Sequence, residues 1–258
     1  MLQSHRDGPV LTLTLDRPEK RNALNASLVD ALLGALTEAA TDEALRVIVL
    51  TGAGKVFSAG ADLAALQALR TASAEANLAD SARLGRLFDA LYQHPKPIIA
   101  KINGHAIAGG CGLAAVCDFS IVADHAMLGF TEVRIGFVPA LVAVFVRRKL
   151  GEAAARDLML RGHLIDAAEA TRLGLVTRVV PAADLDEAVH ALAREIATQT
   201  SGTAVALTKR LLTAVPGMGW EEALSYATNL NALARSTDDC QAGIAAFLDK
   251  TDPPWRAH

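Results

Sequence analysis

Apolar and hydroxyl residues alternate along Val10-Leu11-Thr12-Leu13-Thr14-Leu15-Asp16, the two-residue period of a half-buried strand over residues 10–16. The charged run Arg17-Pro18-Glu19-Lys20-Arg21-Asn22 breaks that pattern as a loop. Ser27 with Asp30 three residues on reads as a capping box that opens a helix to about residue 40. A β-branched run at 47–51 predicts a strand leading into a glycine-bearing loop over 52–60. Residues 70–80 are rich in Ala, Ser, Glu and Asn with weak patterning, and are expected to be mobile. A helix over 81–93 stops at His94-Pro95-Lys96-Pro97, where proline forbids its continuation. A strand at 98–102, a loop starting at Asn103-Gly104, a short helix near 113–116 and strands at 119–123 and 127–131 follow. From residue 140 the spacing is helical, with one further strand at 175–180 closed by Pro181. Residues 185–248 read as helix after helix, punctuated by Ser201-Gly202 and Pro216-Gly217-Met218-Gly219. Mixed strands and helices followed by an all-helical tail predict an α/β core with a helical appendage.

Composition narrows the picture. The 258 residues suffice for one large core, and 52% hydrophobic with only 4% aromatic makes that core mostly Ala, Leu and Val. Such small side chains suit closely packed helices and buried subunit contacts. A net charge of −3 supplies no broad basic field, which argues against nucleic acid or an anionic membrane as the main partner. The longest apolar runs, such as 138–146, are too short to span a bilayer, and the first seven residues hold no apolar signal core. A cytoplasmic location is expected. Cys111, Cys117 and Cys240 fit neither a zinc nor a disulfide spacing and read as reduced thiols. The seven histidines are scattered, so no metal site is expected.

Two glycine-bearing turns carry the candidate chemistry. Ser58-Ala59-Gly60-Ala61-Asp62 and Ala108-Gly109-Gly110-Cys111-Gly112 each lie just past a strand-like run. Small residues there let a ligand approach the backbone and leave N–H groups free to donate. Two converging donors would stabilise an oxyanion. Other readings of the same glycines are weaker. Thr51-Gly52-Ala53-Gly54-Lys55-Val56 resembles a phosphate loop but lacks its spacing and its magnesium-binding hydroxyl. Gly110-x-Gly112-x-x-Ala115, with Glu132 some twenty residues on, approaches a dinucleotide fingerprint, yet a loop rather than a tight turn separates it from its strand.

The wider context is more specific. Arg17-Pro18-Glu19-Lys20-Arg21-Asn22-Ala23-Leu24-Asn25 is followed by the block from Val49 through Ser58-Ala59-Gly60-Ala61-Asp62-Leu63. Then come Asn103-Gly104-His105-Ala106-Ile107-Ala108-Gly109-Gly110-Cys111-Gly112-Leu113, Cys117-Asp118, Phe130-Thr131-Glu132-Val133-Arg134-Ile135-Gly136 and Ile165-Asp166-Ala167-Ala168-Glu169-Ala170. Together these motifs resemble the crotonase (enoyl-CoA hydratase/isomerase) superfamily over nearly the whole chain. The resemblance implies an α/β fold, a spiral of ββα units, with a core over residues 1–195 and a C-terminal helical oligomerisation or lid region over 196–258. It also implies an acyl-CoA substrate, a homotrimer or dimer of trimers, and no cofactor beyond the coenzyme A of the substrate.

By the same resemblance, the N–H groups of Ala61 and Gly109 would form the oxyanion hole, and Glu132 would be the catalytic acid/base. Its bland alternative is a salt bridge with Arg134 or Arg147. Gly112 stands where the family's hydratases carry a first glutamate, so one of the two usual carboxylates is missing. Lys20, Arg21 and Ala23 match positions near the CoA nucleotide, though an exposed charged loop explains them equally. Ala59, Leu63 and Gly112 would border the substrate, and Lys250 resembles a C-terminal lysine that reaches the nucleotide, in its own or a neighbouring subunit. Asp62 either caps the helix beginning near Leu63 or touches ligand, and the cap is favoured. His105, Asp118 and Asp124 are read as structural. The leading function is hydration of a 2-enoyl-CoA or the reverse dehydration, with a 3-methyl branch suggested by similarity to bacterial methylglutaconyl-CoA hydratases. A Δ3-Δ2 enoyl-CoA isomerase, which needs only one carboxylate, and an acyl-CoA-binding protein with little catalysis are the alternatives.

Overall fold

The computed structural model describes residues 1–256, apart from the side chains of Leu63, Leu66 and Leu69. Its chain repeatedly lays one strand on a large sheet, the next on a small sheet, and then a helix. The first such pass is β3 (Val47–Gly52), β4 (Val56–Ser58) and the helices α2 (Leu63–Leu69) and α3 (Ala74–Gln93). The second is β5 (Ile98–Ile102), β6 (His105–Ile107) and α4 (Gly109–Val116). The third is β7 (Phe119–Ala123), β8 (Met127–Gly129) and α5 (Ala140–Arg161). This is the expected ββα spiral. A hairpin of β1 (Leu2–Asp7) and β2 (Val10–Leu15), joined to β3 through α1 (Ala26–Thr41), flanks the large sheet, whose order is β1-β2-β3-β5-β7-β10 with β10 at Arg178–Val180. The small sheet runs β4-β6-β8-β9, with β9 at Leu164–Asp166. Among the described residues only the β1–β2 and β8–β9 pairs are antiparallel.

β3 is buried at all six positions because helices cover both faces of the parallel sheet, which is why it reads as an unbroken apolar run. Ile48 and Leu50 join Leu28, Leu32, Phe88 and Leu91 of α1 and α3 on one side. Val47, Val49 and Ile99 meet α7 (Leu185–Gln199) on the other, through Leu185, Val189, Ala193 and Ala197. The division expected between residues 195 and 196 therefore falls inside a helix that packs on the core along its length. Three further helices close the chain: α8 (Gly202–Ala214), α9 (Trp220–Arg235) and α10 (Asp238–Asp249). Between β9 and β10 lies the short α6 (Ala167–Arg172). Among the described residues, no helix is long and apolar enough to cross a membrane.

Several boundaries differ from the sequence expectations. The segment 70–80 is largely the first turns of α3, started by the Ser73 hydroxyl accepting from Ala76 N at 3.1 Å. Only the second half of α3, through Leu87, Phe88 and Leu91, is buried, so its exposed start carries no apolar stripe. α1 is capped by Asn25 Oδ1, which accepts from Leu28 N at 2.9 Å, rather than by Ser27. α4 begins at Gly109 rather than near residue 113. The loops expected at 52–60 and after Asn103 contain β4 and β6, and the strands expected at 127–131 and 175–180 shorten to β8 and β10.

Candidate functional site

β4, β6 and β8 are neighbouring parallel strands, and each is followed within a few residues by one candidate element. Ser58 leads into Ala59–Asp62, Ile107 into Ala108-Gly109, and Gly129 into Thr131-Glu132. Parallel neighbours lie roughly 4.8 Å apart, so the small sheet delivers all three segments to one edge. Carboxyl ends of parallel strands are where α/β folds place their ligands.

At the first segment, Ala59 N donates to Arg21 O at 2.9 Å, Leu24 N to Gly60 O at 2.7 Å and Asp62 N to Leu24 O at 3.1 Å. These bonds leave Ala61 between two anchored neighbours, and among the described residues its own N–H has no acceptor. At the second segment, Ala108 N donates to Gly129 O at 2.8 Å, while Ala108 itself adopts φ 52°, ψ −125°. That conformation costs a residue with a Cβ about 1–3 kcal/mol, and it turns the chain sharply from β6 into α4. Gly109 then opens the helix, where the N–H groups have no intrahelical acceptor and the helix dipole is positive. The two turns touch. A Cβ built on Gly60 would lie 3.0 Å from Gly109 N and 2.9 Å from Ile107 O. Two backbone donors without partners on touching turns can hold one developing oxyanion.

A buried polar knot fixes the first turn. Asp62 Oδ1 accepts from Ala64 N at 2.8 Å, capping α2, and Oδ2 accepts from Arg17 Nη2 at 2.7 Å. Both side chains of this pair are nearly buried, and the Arg17 hydrogen bond holds the Asp62 carboxyl below its ordinary pKa. Asn22 is fully buried; its Oδ1 accepts from Arg17 N, and its Nδ2 donates to Ala53 O and Val56 O. Ser58 Oγ donates to Asn22 O at 2.9 Å. Sequence reasoning gave Arg17, Asn22 and Ser58 no individual role, although all three stand inside quoted motifs.

Glu132 opens a 3-10 turn, Glu132–Ile135, closed by Gly136 at φ 75°. Its Oε2 is buried and, among the described residues, has no hydrogen-bond partner. Burial pushes its pKa above the ordinary carboxylate value. The salt bridge weighed as its alternative does not form among the described residues: Arg147 pairs with Glu152 at 3.5 Å instead. A half-desolvated carboxylate with one oxygen free of partners holds a proton more readily than an ordinary glutamate, which suits an acid/base. Glu132 also acts electrostatically on Cys111 of α4, whose thiol burial pushes up to about 12. Next to Cys111, Gly112 is buried against α5: a Cβ there would lie 2.2 Å from Val142 Cγ1 and 3.3 Å from Phe88 Cζ.

The remaining candidates are placed unevenly. Ala59 and Ala23 border the first turn, Ala23 O accepting from Arg17 Nη1 at 2.6 Å. Lys20 and Arg21 are exposed beside it, and neither forms an ion pair among the described residues. Lys250 lies at the end of α10, which packs on α8 and α9, and no hydrogen bond ties it to the Lys20–Arg21 loop. The Leu63 side chain lies outside the described residues. His105 Nδ1 accepts from Met127 N at 3.0 Å, and Asp118 accepts from Ile98 N and Lys209 Nζ, both structural arrangements. Gly110 presses on β4, where a Cβ would lie 2.2 Å from Ser58 O, which accounts for this glycine by packing rather than by a phosphate. Among the described residues no group of three or more His, Cys, Asp or Glu side chains could hold a metal. A cavity of about 730 Å³ between α5 and α8, lined by Tyr92, Phe145, Lys149 and Lys209, includes Asp118 but none of the catalytic or substrate-binding candidates.

Known proteins resemble this chain over nearly its whole length. The profile of the enoyl-CoA hydratase/isomerase family matches residues 5–258. A Thermus thermophilus protein described as an enoyl-CoA hydratase is 47% identical over 246 residues, covering 95% of this chain and 97% of that one. A carnitinyl-CoA dehydratase of Salmonella arizonae is 37% identical, covering 100% and 98%. The crystal structure of an enoyl-CoA hydratase from Mycobacterium smegmatis superposes with a TM-score of 0.93 at 33% identity over 99% of both chains. With a ββα spiral that brings two unpaired backbone donors and a half-buried glutamate to one end of the small sheet, the chain belongs to the crotonase (enoyl-CoA hydratase/isomerase) superfamily of enzymes.

Proposed function

We propose that the protein hydrates a 2-enoyl-CoA thioester, or runs the reverse dehydration, with Ala61 and Gly109 as oxyanion donors and Glu132 as the single acid/base. The observation that carries this reading is the pair of partnerless N–H groups on touching turns, one strand away from a half-buried glutamate whose Oε2 has no partner among the described residues. The thioester carbonyl oxygen accepts both N–H groups, which draws electron density from the β-carbon. Glu132 removes a proton from water as its oxygen bonds to the β-carbon, and the π electrons move to the carbonyl oxygen as an enolate. Collapse of the enolate takes a proton at the α-carbon, returned by Glu132, so water is added and nothing is oxidised.

The basic pair Lys20 and Arg21 would meet the CoA phosphates, with Ala23 and Ala59 lining the approach and Asp62 holding the turn. In a trimer or dimer of trimers, the region after α7 would supply subunit contacts and a lid, and Lys250 would reach the nucleotide. The scheme needs no cofactor beyond the substrate's own coenzyme A. A carboxyl-bearing, 3-methyl-branched acyl group fits a site with one protein carboxylate. That same economy favours a second reading, Δ3-Δ2 enoyl-CoA isomerisation, because Gly112 faces Val142 and offers no second proton carrier.

The test is turnover of crotonyl-CoA, 3-methylglutaconyl-CoA and a 3-enoyl-CoA by the purified protein. Loss of enoyl-thioester absorbance marks hydration, and its appearance from the 3-enoyl substrate marks isomerisation. Glu132→Gln should lower kcat roughly 10²–10⁴-fold with acyl-CoA affinity retained. Tight acyl-CoA binding without turnover of any substrate would overturn the reading in favour of a binding protein.

A further inference from the structure

We infer that Val142 is the residue that keeps this site at one carboxylate. The inference rests on Glu132 being the acid/base, and it assigns a determinant of reaction specificity to α5, an element to which the sequence attached no role. Gly112 occupies the fourth position of α4 and has no left-handed backbone, so its conformation alone does not demand glycine. What demands it is contact. A Cβ at 112 would lie 2.2 Å from Val142 Cγ1 and 3.2 Å from Val142 Cβ, where ordinary contact begins near 3.4 Å. Phe88 Cζ, at 3.3 Å, closes the same direction from α3. Val142 is 3% exposed and Phe88 fully buried, so neither can yield outward into solvent.

The isopropyl group of Val142 thus fills the start of the path that any side chain at 112 must take. It sits on the third residue of α5, a helix that follows Glu132–Ile135 after four intervening residues and packs against that turn. The same helix packs against α4, so the element that carries Gly112 and the turn that carries Glu132 share α5 as their packing partner. A carboxylate at 112 would therefore extend toward the helix that borders the Glu132 turn, and the Val142 side chain is the first obstacle on that path, with Phe88 beside it. Gly112 and Val142 form a coupled pair, and changing the first without the second overpacks the core.

A double-mutant cycle separates this from simple packing. Gly112→Glu alone should lower the melting temperature by roughly 5 °C or more without raising crotonyl-CoA hydration. Val142→Ala alone should also lower it, yet the double variant should melt above Gly112→Glu; Val142→Gly, which removes the Cβ contact as well, is the second version should alanine leave too little room. In the double variant kcat/KM for crotonyl-CoA should rise roughly tenfold over wild type, and its pH profile should gain a second acidic limb from the new carboxylate. Additive melting shifts, a well-folded and active Gly112→Glu single variant, or a coupled cycle with no gain in hydration would each overturn the inference. Failure of the underlying reading looks different: wild-type protein carrying Glu132→Gln would keep its turnover while the melting cycle stayed coupled.

Discussion

Gly60→Ala tests the proposed oxyanion hole at its narrowest point. Gly60 has φ +82°, a left-handed conformation that costs an alanine roughly 1–2 kcal/mol before any contact is counted. Its new methyl would stand 2.9 Å from Ile107 O, 3.0 Å from Ala108 Cβ and 3.0 Å from Gly109 N. All three belong to the end of β6 and the second turn, so relief requires the two segments to part by a few tenths of an ångström. The strain alone should lower the melting temperature by roughly 2–8 °C for a protein of this size. The functional loss should be larger, because an oxyanion donor works only within a narrow range of positions. Losing one donor costs about 10²–10³ in kcat, and we expect Gly60→Ala to fall near the lower figure. Affinity for a saturated acyl-CoA should change little, since the donors bind the developing oxyanion better than the ground-state carbonyl. Gly109→Ala is the control: its Cβ meets only Gly60 Cα at 3.7 Å and Leu24 Cδ1 at 3.9 Å, ordinary contacts that need no rearrangement. Steady-state kinetics on the substrate that the protein turns over, with calorimetric binding of the acyl-CoA, read both variants. A folded Gly60→Ala with wild-type kcat, or a Gly109→Ala that unfolds, would refute the geometry on which the proposal stands.

Three further outcomes follow from the same contacts. Because burial raises the Glu132 pKa, its ionisation destabilises the fold as pH rises through that raised value. Glu132→Gln should therefore melt above wild type at pH 7–8, with the gap closing below about pH 4.3, the ordinary glutamate value; a pH-independent gap would show that the carboxylate is not desolvated. Asp62 has the opposite sign, its carboxyl held low by Arg17, so Asp62→Asn should cost about 2–4 kcal/mol at pH 7 and progressively less as pH falls through the lowered pKa, measured by denaturant melts. Asn22→Ala strands Ala53 O, Val56 O and Arg17 N together and should cost about 2–4 kcal/mol, with kcat falling because β4 and the Ala61 turn lose their anchor; an unchanged melting curve would contradict the buried knot.

The sequence made the large sheet legible and the small sheet nearly invisible, for a physical reason. β3 and β5 are buried on both faces, so their apolar runs stand out against the flanking helices. β4, β6 and β9 span three residues each, too short for a period to register, and β4 and β6 are flanked by the glycine-bearing loops and turns. Yet those short strands set the candidate site, because β4, β6 and β8 align three turns spread over some seventy residues of the chain. The motif resemblance named Ala61, Gly109 and Glu132 without a picture of what brings them together. It also named Gly112 as an absence. Contacts alone turn that absence into a packed volume, since no local pattern in α4 could reveal that a valine thirty residues later fills the space. Local regularity thus reports what a helix or strand does for the core. A site built at the ends of short strands depends on which ends meet, and that is decided by the register of β4, β6 and β8 and by the strained turn at Ala108.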